Sequence, residues 1–295
     1  MRSILFHLGP IPVHAYGFML MLGFAAGLAL ALRQAPRYRL DPEKLVDLTL
    51  YLLIASIVGA RLAYVLLDLP QNAGDYLEDP WLLFKIWKGG LAFHGGLAGG
   101  ILALLFFCRR QAVPWRRLAD ALAPSLALGY AITRIGCFLN GCCHGRPTHL
   151  PWAVRFLDPV THQWTPPSHP TQIYSLLAMV ALCGLLLYLR DRRPFEGFLA
   201  VTFLIGYSVE RFLVEFLRAD LPDQPVSARV TATGLTQAQI VSLLIIAFGV
   251  WLGYFFARHP LPEALAPSPG GGGSDSPAAP PGRRRKPSGR RKRRR

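Results

Sequence analysis

Ile173-Tyr-Ser-Leu-Leu-Ala-Met-Val-Ala-Leu-Cys-Gly-Leu-Leu-Leu-Tyr-Leu189 runs without a charge and stops against Arg190, Arg192 and Arg193. A helix needs about 20 mostly apolar residues to cross a bilayer, and basic residues gather at its cytoplasmic end. Working outward, six further stretches have this character: 16–32, 46–67, 91–108, 118–138, 197–217 and 236–257. Composition agrees. Of 295 residues, 52% are hydrophobic and only 17% charged, with a mean hydropathy of +0.31, whereas soluble domains carry about 25% charge. The charge that remains is concentrated. Ten of the 32 Lys and Arg lie between Arg283 and Arg295, so without them the net charge falls from +15 to +5. The pI near 10.2 therefore describes a tail and not a DNA-binding domain. Aperiodic glycines, five cysteines and frequent apolar runs exclude a collagen, a disulfide scaffold and a wholly disordered chain.

The connections orient the spans. Arg33, Arg37, Arg39 and Lys44 follow the first span, and Arg109, Arg110, Arg116 and Arg117 follow the third. Arg190, Arg192 and Arg193 follow the fifth, and Arg258 follows the seventh. The loop after span two is acidic, with Asp68, Asp75, Glu78 and Asp79. The sequence thus predicts an all-α, polytopic membrane protein of seven transmembrane helices, N-terminus outside and C-terminus cytoplasmic. Residues 1–257 form the membrane domain, 258–282 a Pro/Gly/Ser-rich linker and 283–295 a disordered polybasic tail. Such a tail is expected to lie on the anionic cytoplasmic lipid surface, at about 1 kcal/mol per basic residue, and not on a specific nucleic acid. The segment His7 to His14 is polar and turn-forming, reads as an outer-face lead-in and does not resemble a cleavable signal peptide.

Ionisable residues inside a span are costly and are functional candidates by default. With this orientation they share one depth. Span three opens Leu91-Ala-Phe-His94-Gly-Gly-Leu97, where Gly95/Gly99 and Gly96/Gly100 are small-residue pairs that admit a close neighbouring helix. Span four ends in Thr133-Arg134-Ile-Gly-Cys-Phe-Leu-Asn140-Gly-Cys-Cys-His-Gly145, and span six in Arg211-Phe-Leu-Val-Glu215-Phe-Leu-Arg218. Arg211, Glu215 and Arg218 share a helix face by their i, i+4, i+7 spacing. Tyr16 opens span one, and Arg61 lies in the outer half of span two. For each of these a structural role is the simpler reading: a packed histidine, a snorkelling arginine, an ion pair. Their convergence in the outer half of the membrane argues for more. Several arginines there fit an anionic ligand, since the guanidinium fork matches phosphate. A phosphate at that depth points to a phospholipid headgroup, with His94 or Tyr16 available for acid–base work.

From residue 8 to 257 the chain resembles the bacterial phosphatidylglycerol–prolipoprotein diacylglyceryl transferase family. The resemblance rests on six ordered motifs: His14-Ala-Tyr16-Gly17, Gly59-Ala-Arg61, His94-Gly-Gly-Leu97, Arg134 to Gly145, His169-Pro-Thr-Gln172-Ile-Tyr174, and Arg211 to Arg218. It implies transfer of the diacylglyceryl group of phosphatidylglycerol to the lipobox cysteine of a preprolipoprotein. The product is a thioether, glycerol phosphate leaves, and the site faces the outer leaflet of the cytoplasmic (inner) membrane. By motif match, Arg134 and Arg211 bind the phosphate and stabilise the leaving group. His94 is the candidate base and Tyr16 the essential tyrosine. Asn140 and Gly145 shape the substrate site, Glu215 fixes Arg211, and Arg61 and Arg218 are secondary substrate contacts. No cofactor is implied. The chain departs from the common family pattern at Thr133 (often Gly), Cys137 (often Asn), Cys142 (often Glu) and Ser175 (often Glu).

Cys137, Cys142 and Cys143 with His144 lack the C-x2-C spacing of zinc sites, so no metal is expected. In an oxidising outer compartment Cys137 has the alternative of a disulfide with Cys142 or Cys143. Cys108 and Cys183 read as small apolar residues. Two rival functions are a non-enzymatic anion or phospholipid transporter and a membrane thiol oxidoreductase. The first lacks an internal repeat, the second a C-x-x-C, and neither uses His94-Gly-Gly-Leu97.

Overall fold

The computed structural model describes residues 4–8, 11–85, 89–157, 163–218 and 234–259. The linker and tail expected over 258–282 and 283–295 lie outside these, apart from residues 258 and 259. Each of the seven apolar stretches is a helix: α1 (Ala15–Gln34), α2 (Pro42–Glu78), α3 (Phe93–Gln111), α4 (Trp115–Asn140), α5 (Thr171–Leu189), α6 (Phe198–Glu215) and α7 (Gln237–Arg258). Five of them, α1, α2, α4, α5 and α7, are long and apolar enough to cross a membrane. The other two are diluted, α3 by four glycines with Arg109 and Arg110, and α6 by Glu210, Arg211 and Glu215. Large apolar side chains lie bare on the outside. Leu66 is 69% exposed, Leu102 67% and Leu244 65%, a pattern that calls for a hydrocarbon solvent or a partner.

The organising element is α4, which packs on α1, α5 and α6, while α2 pairs with α3 and α6 with α7. Its inner stripe is small. Ala121, Ala123, Ala127 and Ala131 are buried against a core that includes Met179, Leu182 and Leu186 of α5 and Leu199 of α6. Small residues let backbones approach, and dispersion along the contact then holds helices that gain nothing from hydrophobic exclusion within lipid. A methyl group added at Gly23 of α1 would come within 2.7 Å of the Gly129 carbonyl oxygen of α4. The paired glycines of α3 do what their spacing predicts, with Gly95 and Gly99 lying directly on the Gly59 and Ala55 carbonyls of α2.

Two features differ from the sequence reading. Residues expected as an irregular lead-in form an antiparallel hairpin, β1 (Ile4–Leu8) with β2 (Ile11–His14), so the fold is not purely helical. Alternating Ile4, Phe6 and Leu8 before Gly9-Pro10 is a strand signal that the polar neighbours obscured. Phe6 meets Phe18 of α1 edge to face at 6.1 Å. The second feature is α2, which runs to Glu78, well past residue 67. Its last turns follow Pro70 and a non-helical Asn72 (φ −126°, ψ 32°), and they are held by Asn72 and Tyr76 donating to the Asp68 carboxylate at 3.0 and 2.7 Å.

At the Trp115 end of α4, Asp120 is fully buried and accepts from the Gly197 and Ala200 amides at 2.8 and 3.0 Å. Gly197, at φ 95°, is the N-cap of α6 and offers no side-chain cap of its own. A carboxylate on another helix thus satisfies amides that the helix start leaves unpaired. Arg117 and Glu196 pair beside it at 2.8 Å. Loss of such a cap costs about 0.5–2 kcal/mol. Asp120→Ala is therefore expected to lower the apparent Tm of the detergent-solubilised chain by several degrees. Asp120→Asn, which keeps an acceptor, should recover part of the loss, and an unchanged Tm in the alanine variant would show that the cap does not hold α6.

Candidate active site

The last turn of α4 ends at Asn140, and Gly141 turns the chain with φ 77°. The following Cys142-Cys143-His144-Gly145 folds back over the helix end. Three tethers fix it, two to the first turn of α5 and one to the segment just before it. Thr171 Oγ1 donates to the Cys143 carbonyl and Gln172 Nε2 to the Cys142 carbonyl, each at 2.7 Å, and the Gly145 amide donates to the His169 carbonyl at 2.8 Å. A fourth reaches the end of α6, from the Arg146 amide to the Leu217 carbonyl at 2.8 Å. Gly145 sits where these strands of chain cross. A methyl group there would come within 2.7 Å of His169 Cβ and 2.9 Å of Thr171 Cγ2, and would strike the Leu217 carbonyl as well. Three of the sequence motifs, far apart in the chain, are thereby held in one place.

Between them lies a narrow crevice lined by Arg134, Cys143, Thr171, Ser175, Arg211, Val214 and Arg218. Arg134 is steadied from one turn earlier. Its guanidinium lies over the Tyr130 ring, with Cζ 4.6 Å from the centroid, and it donates to the Tyr130 hydroxyl. Among the described residues its Nε is buried without a hydrogen-bond partner, and a buried donor left unsatisfied costs about 1–3 kcal/mol. Arg211 donates to Glu215 at 2.5 Å, and the other Glu215 oxygen accepts from Thr236 Oγ1 at 3.2 Å. Thr236 is itself the N-cap of α7, in a capping box with Gln239. Glu215, 5% exposed, thus fixes Arg211 to the start of the next helix.

The site also contains residues the sequence reading did not select. Ser175 on α5 donates to buried Glu210 of α6 at 2.5 Å, leaving the second Glu210 oxygen unpartnered. Thr171 both ties the loop and lines the crevice. Tyr130 stands four residues before Arg134, and Glu210 is a charge within an apolar run, so both carried a signal in retrospect. Counting Arg134, Arg211 and Arg218 against Glu210 and Glu215 leaves an excess of one positive charge, which suits an anion.

The other selected residues fall around this centre. Tyr16, 41% exposed, lies in the first turn of α1. Its Cα would be 3.1 Å from a methyl group at Gly136, and its hydroxyl is within electrostatic reach of Arg134 and of the thiols of Cys137, Cys142 and Cys143. Asn140 reaches Cys142. His169 sits beside the crevice wall with Nδ1 3.3 Å from the Tyr174 hydroxyl, and burial together with the Arg146 charge pushes its pKa below the usual histidine range. The structure does not bring His94 or Arg61 into the crevice. His94 is an exposed residue in the first turn of α3. Arg61, 9% exposed, spends its donors on the Leu82, Leu83, Gly89 and Gly90 carbonyls, at 2.9–3.0 Å for the last three. That makes it the fastener of the loop between α2 and α3. The cysteines of the signature come together although their spacing did not suggest it. The sulfurs of Cys137, Cys142 and Cys143 all lie within 4.8 Å of one another, and all five cysteines are free thiols.

The family model described as prolipoprotein diacylglyceryl transferase matches residues 3–255. A phosphatidylglycerol–prolipoprotein diacylglyceryl transferase of Methylococcus capsulatus is 41% identical over 249 residues, covering 83% of this chain and 91% of the relative. One from Synechococcus elongatus is 36% identical over 277 residues, covering 90% and 91%, and one from Pseudomonas fluorescens 38% over 263 residues, covering 86% and 93%. The matched span takes in every helix and the whole arginine crevice, and on that evidence the chain belongs to the prolipoprotein diacylglyceryl transferase family.

Proposed function

We propose that this chain transfers the diacylglyceryl group of phosphatidylglycerol to the lipobox cysteine of a preprolipoprotein. The observation that carries the proposal is the crevice where Arg134, Arg211 and Arg218 meet, with a buried Arg134 Nε that lacks an acceptor. In the reaction, the cysteine sulfur forms a bond to the glyceryl carbon that carries the phosphate ester. The carbon–oxygen bond breaks, its electron pair stays on the phosphate oxygen, and glycerol phosphate leaves. The thiol proton passes to a base. Charge therefore develops on the phosphate side, where preorganised guanidinium donors stabilise the transition state more than the ground state. A transporter would need the same positive charge but would leave the lipid intact.

The placement in the membrane belongs to the same reading. All seven helices cross the bilayer, the N-terminus lies outside, and the crevice opens toward the outer leaflet of the inner membrane. The basic connections support this, as do the acidic residues Asp68, Asp75 and Glu78 in the last turns of α2 and the polybasic segment 283–295, which rests on the anionic cytoplasmic surface. Tyr16 orients the headgroup from α1, and Asn140 and Gly145 shape the signature loop. His94 is the base candidate on the motif match.

The test is a transfer assay in detergent with phosphatidylglycerol, a lipobox peptide and its Cys→Ser counterpart, read by peptide mass. A diacylglyceryl mass gain confined to the cysteine peptide is expected. Removing one preorganised donor to a developing anion costs about 10²–10³-fold, so Arg134→Ala and Arg211→Ala should each reduce transfer by that order. Arg134→Lys should not restore it, because an ammonium lacks the planar fork. No mass gain from folded protein would overturn the assignment. Glu215→Gln separates holding Arg211 from contacting substrate. It keeps one acceptor, for Arg211, while its amide NH2 can donate to the Thr236 hydroxyl, and it removes the charge, so transfer should fall less than in Arg211→Ala. A loss as large as that of Arg211→Ala would assign Glu215 a direct part in the chemistry.

A further inference from the structure

The reaction proposed above has no use for the three signature thiols, yet they are placed with care. Cys137 is in the last turn of α4, 6% exposed. Cys142 and Cys143 are brought back against it by the Gly141 turn and by the two α5 side chains that hold their carbonyls. Cys143 takes φ 62°, a left-handed conformation that a non-glycine residue adopts only where its surroundings impose it. The outcome is three sulfurs mutually within 4.8 Å. Sulfurs bound to one ion at about 2.3 Å stand roughly 4 Å apart, so the cluster needs little closure to grip one.

We propose that Cys137, Cys142 and Cys143 form a three-thiolate site for a soft cation of the Cu(I) class. Two observations select a soft, three-coordinate ion. Thiolate ligands suit Cu(I), zinc and iron–sulfur clusters, and of these structural zinc takes four protein ligands. Among the described residues no fourth Cys, His, Asp or Glu joins the group. The adjacent His144 is turned away, with Nδ1 3.1 Å from the Gly145 carbonyl and its ring stacked on Phe156 at 5.2 Å. Charge fits as well. On binding, three S–H protons leave to solvent, three S–Cu bonds form and no electron moves, so one monovalent ion with three thiolates carries two negative charges. Arg134 and Arg218 line the crevice with Cys143 and offset them. The same proximity makes the site antagonistic to phosphate, because a metal–thiolate group at Cys143 neutralises the arginines a phosphate would use. That consequence, unlike the binding itself, rests on the function proposed above.

The test uses the full chain in detergent, reduced, desalted under nitrogen and titrated with Cu(I) against a chromogenic bicinchoninate competitor. One ion retained per chain and an X-ray absorption first shell of three sulfurs are expected. Cys137→Ser, Cys142→Ser and Cys143→Ser should each weaken retention at least tenfold, whereas the Cys108→Ser, Cys183→Ser double variant should retain one ion. Should a signature variant not fold, maleimide footprinting of the wild type answers the same question, with Cu(I) expected to protect all three thiols together. Stoichiometry insensitive to these variants, a two-sulfur shell, unprotected thiols, or a disulfide among the three in protein isolated without reductant would each overturn the site. In the transfer assay, Cu(I) loading should inhibit and bicinchoninate should restore. An active chain that binds no Cu(I) sinks the metal site alone, and a chain that binds Cu(I) through these thiols but transfers nothing sinks the function alone.

Discussion

A guanidinium kept among apolar helices must find acceptors or counter-charges, and the structure around α4 is organised by that demand. Arg211 has Glu215, and Glu215 has Thr236. Among the described residues Arg134 has the face and hydroxyl of Tyr130, and its buried Nε has no hydrogen-bond partner. The contrast separates a cation that is fixed from one that is poised. An ion pair that was merely structural would leave neither donor open nor charge in excess. Here both remain, in one crevice, at the junction of three helices.

Holding such a site rigid in a lipid-like setting requires backbone contacts, because side-chain hydrophobicity gives helices no reason to associate there. The glycines meet that need at two seams. α1 and α4 touch at Gly23 and Gly129, and α2 and α3 touch at Gly59 and Gly95. At the site itself Gly145 does the same for three irregular segments. The polar tethers then act on a scaffold that is already close-packed, with Asp120 fastening α4 to the start of α6 at one end and the signature loop fastening α4 to α5 and α6 at the other.

Much of this was legible in the sequence. A run such as 173–189 can only be a buried or membrane helix, and the seven helices fall within a few residues of their apolar stretches, α2 excepted. Arg211, Glu215 and Arg218 could be grouped by their i, i+4, i+7 spacing, and Arg134 joined them because the expected orientation put the end of its own span at a similar depth. What was not legible depends on contacts between distant segments. Arg61 looked like another ligand cation, and only the carbonyls of Leu82, Leu83, Gly89 and Gly90 show that its donors are taken. His94 was grouped with the arginines by expected depth, which fixes one coordinate of three; α3 pairs with α2, and His94 is not among the residues that line the crevice. The thiol cluster failed the spacing rules for metals because those rules describe ligands on regular turns. A helix end followed by a left-handed residue brings i, i+5 and i+6 together in a way no such rule anticipates.

The departures from the usual family signature become intelligible as a redistribution of charge. Where a glutamate commonly follows the tyrosine that corresponds to Tyr174, this chain has Ser175, but Ser175 donates to Glu210 at 2.5 Å. A carboxylate is thus still present at that corner of the site, supplied by α6 and reached through a hydroxyl on α5. The second departure has no such substitute among carboxylates. Cys142 stands where a glutamate is common, next to Cys137 and to Cys143, which lines the crevice with Arg134. A thiol is neutral or anionic according to what it meets, whereas a glutamate facing two arginines stays charged. The exchange replaces a fixed counter-charge with a conditional one. It keeps the arginines unneutralised when the thiols are protonated, and it sets this conditional charge beside Cys143, the thiol that lines the crevice and whose backbone is held at φ 62°, a conformation it would not choose alone.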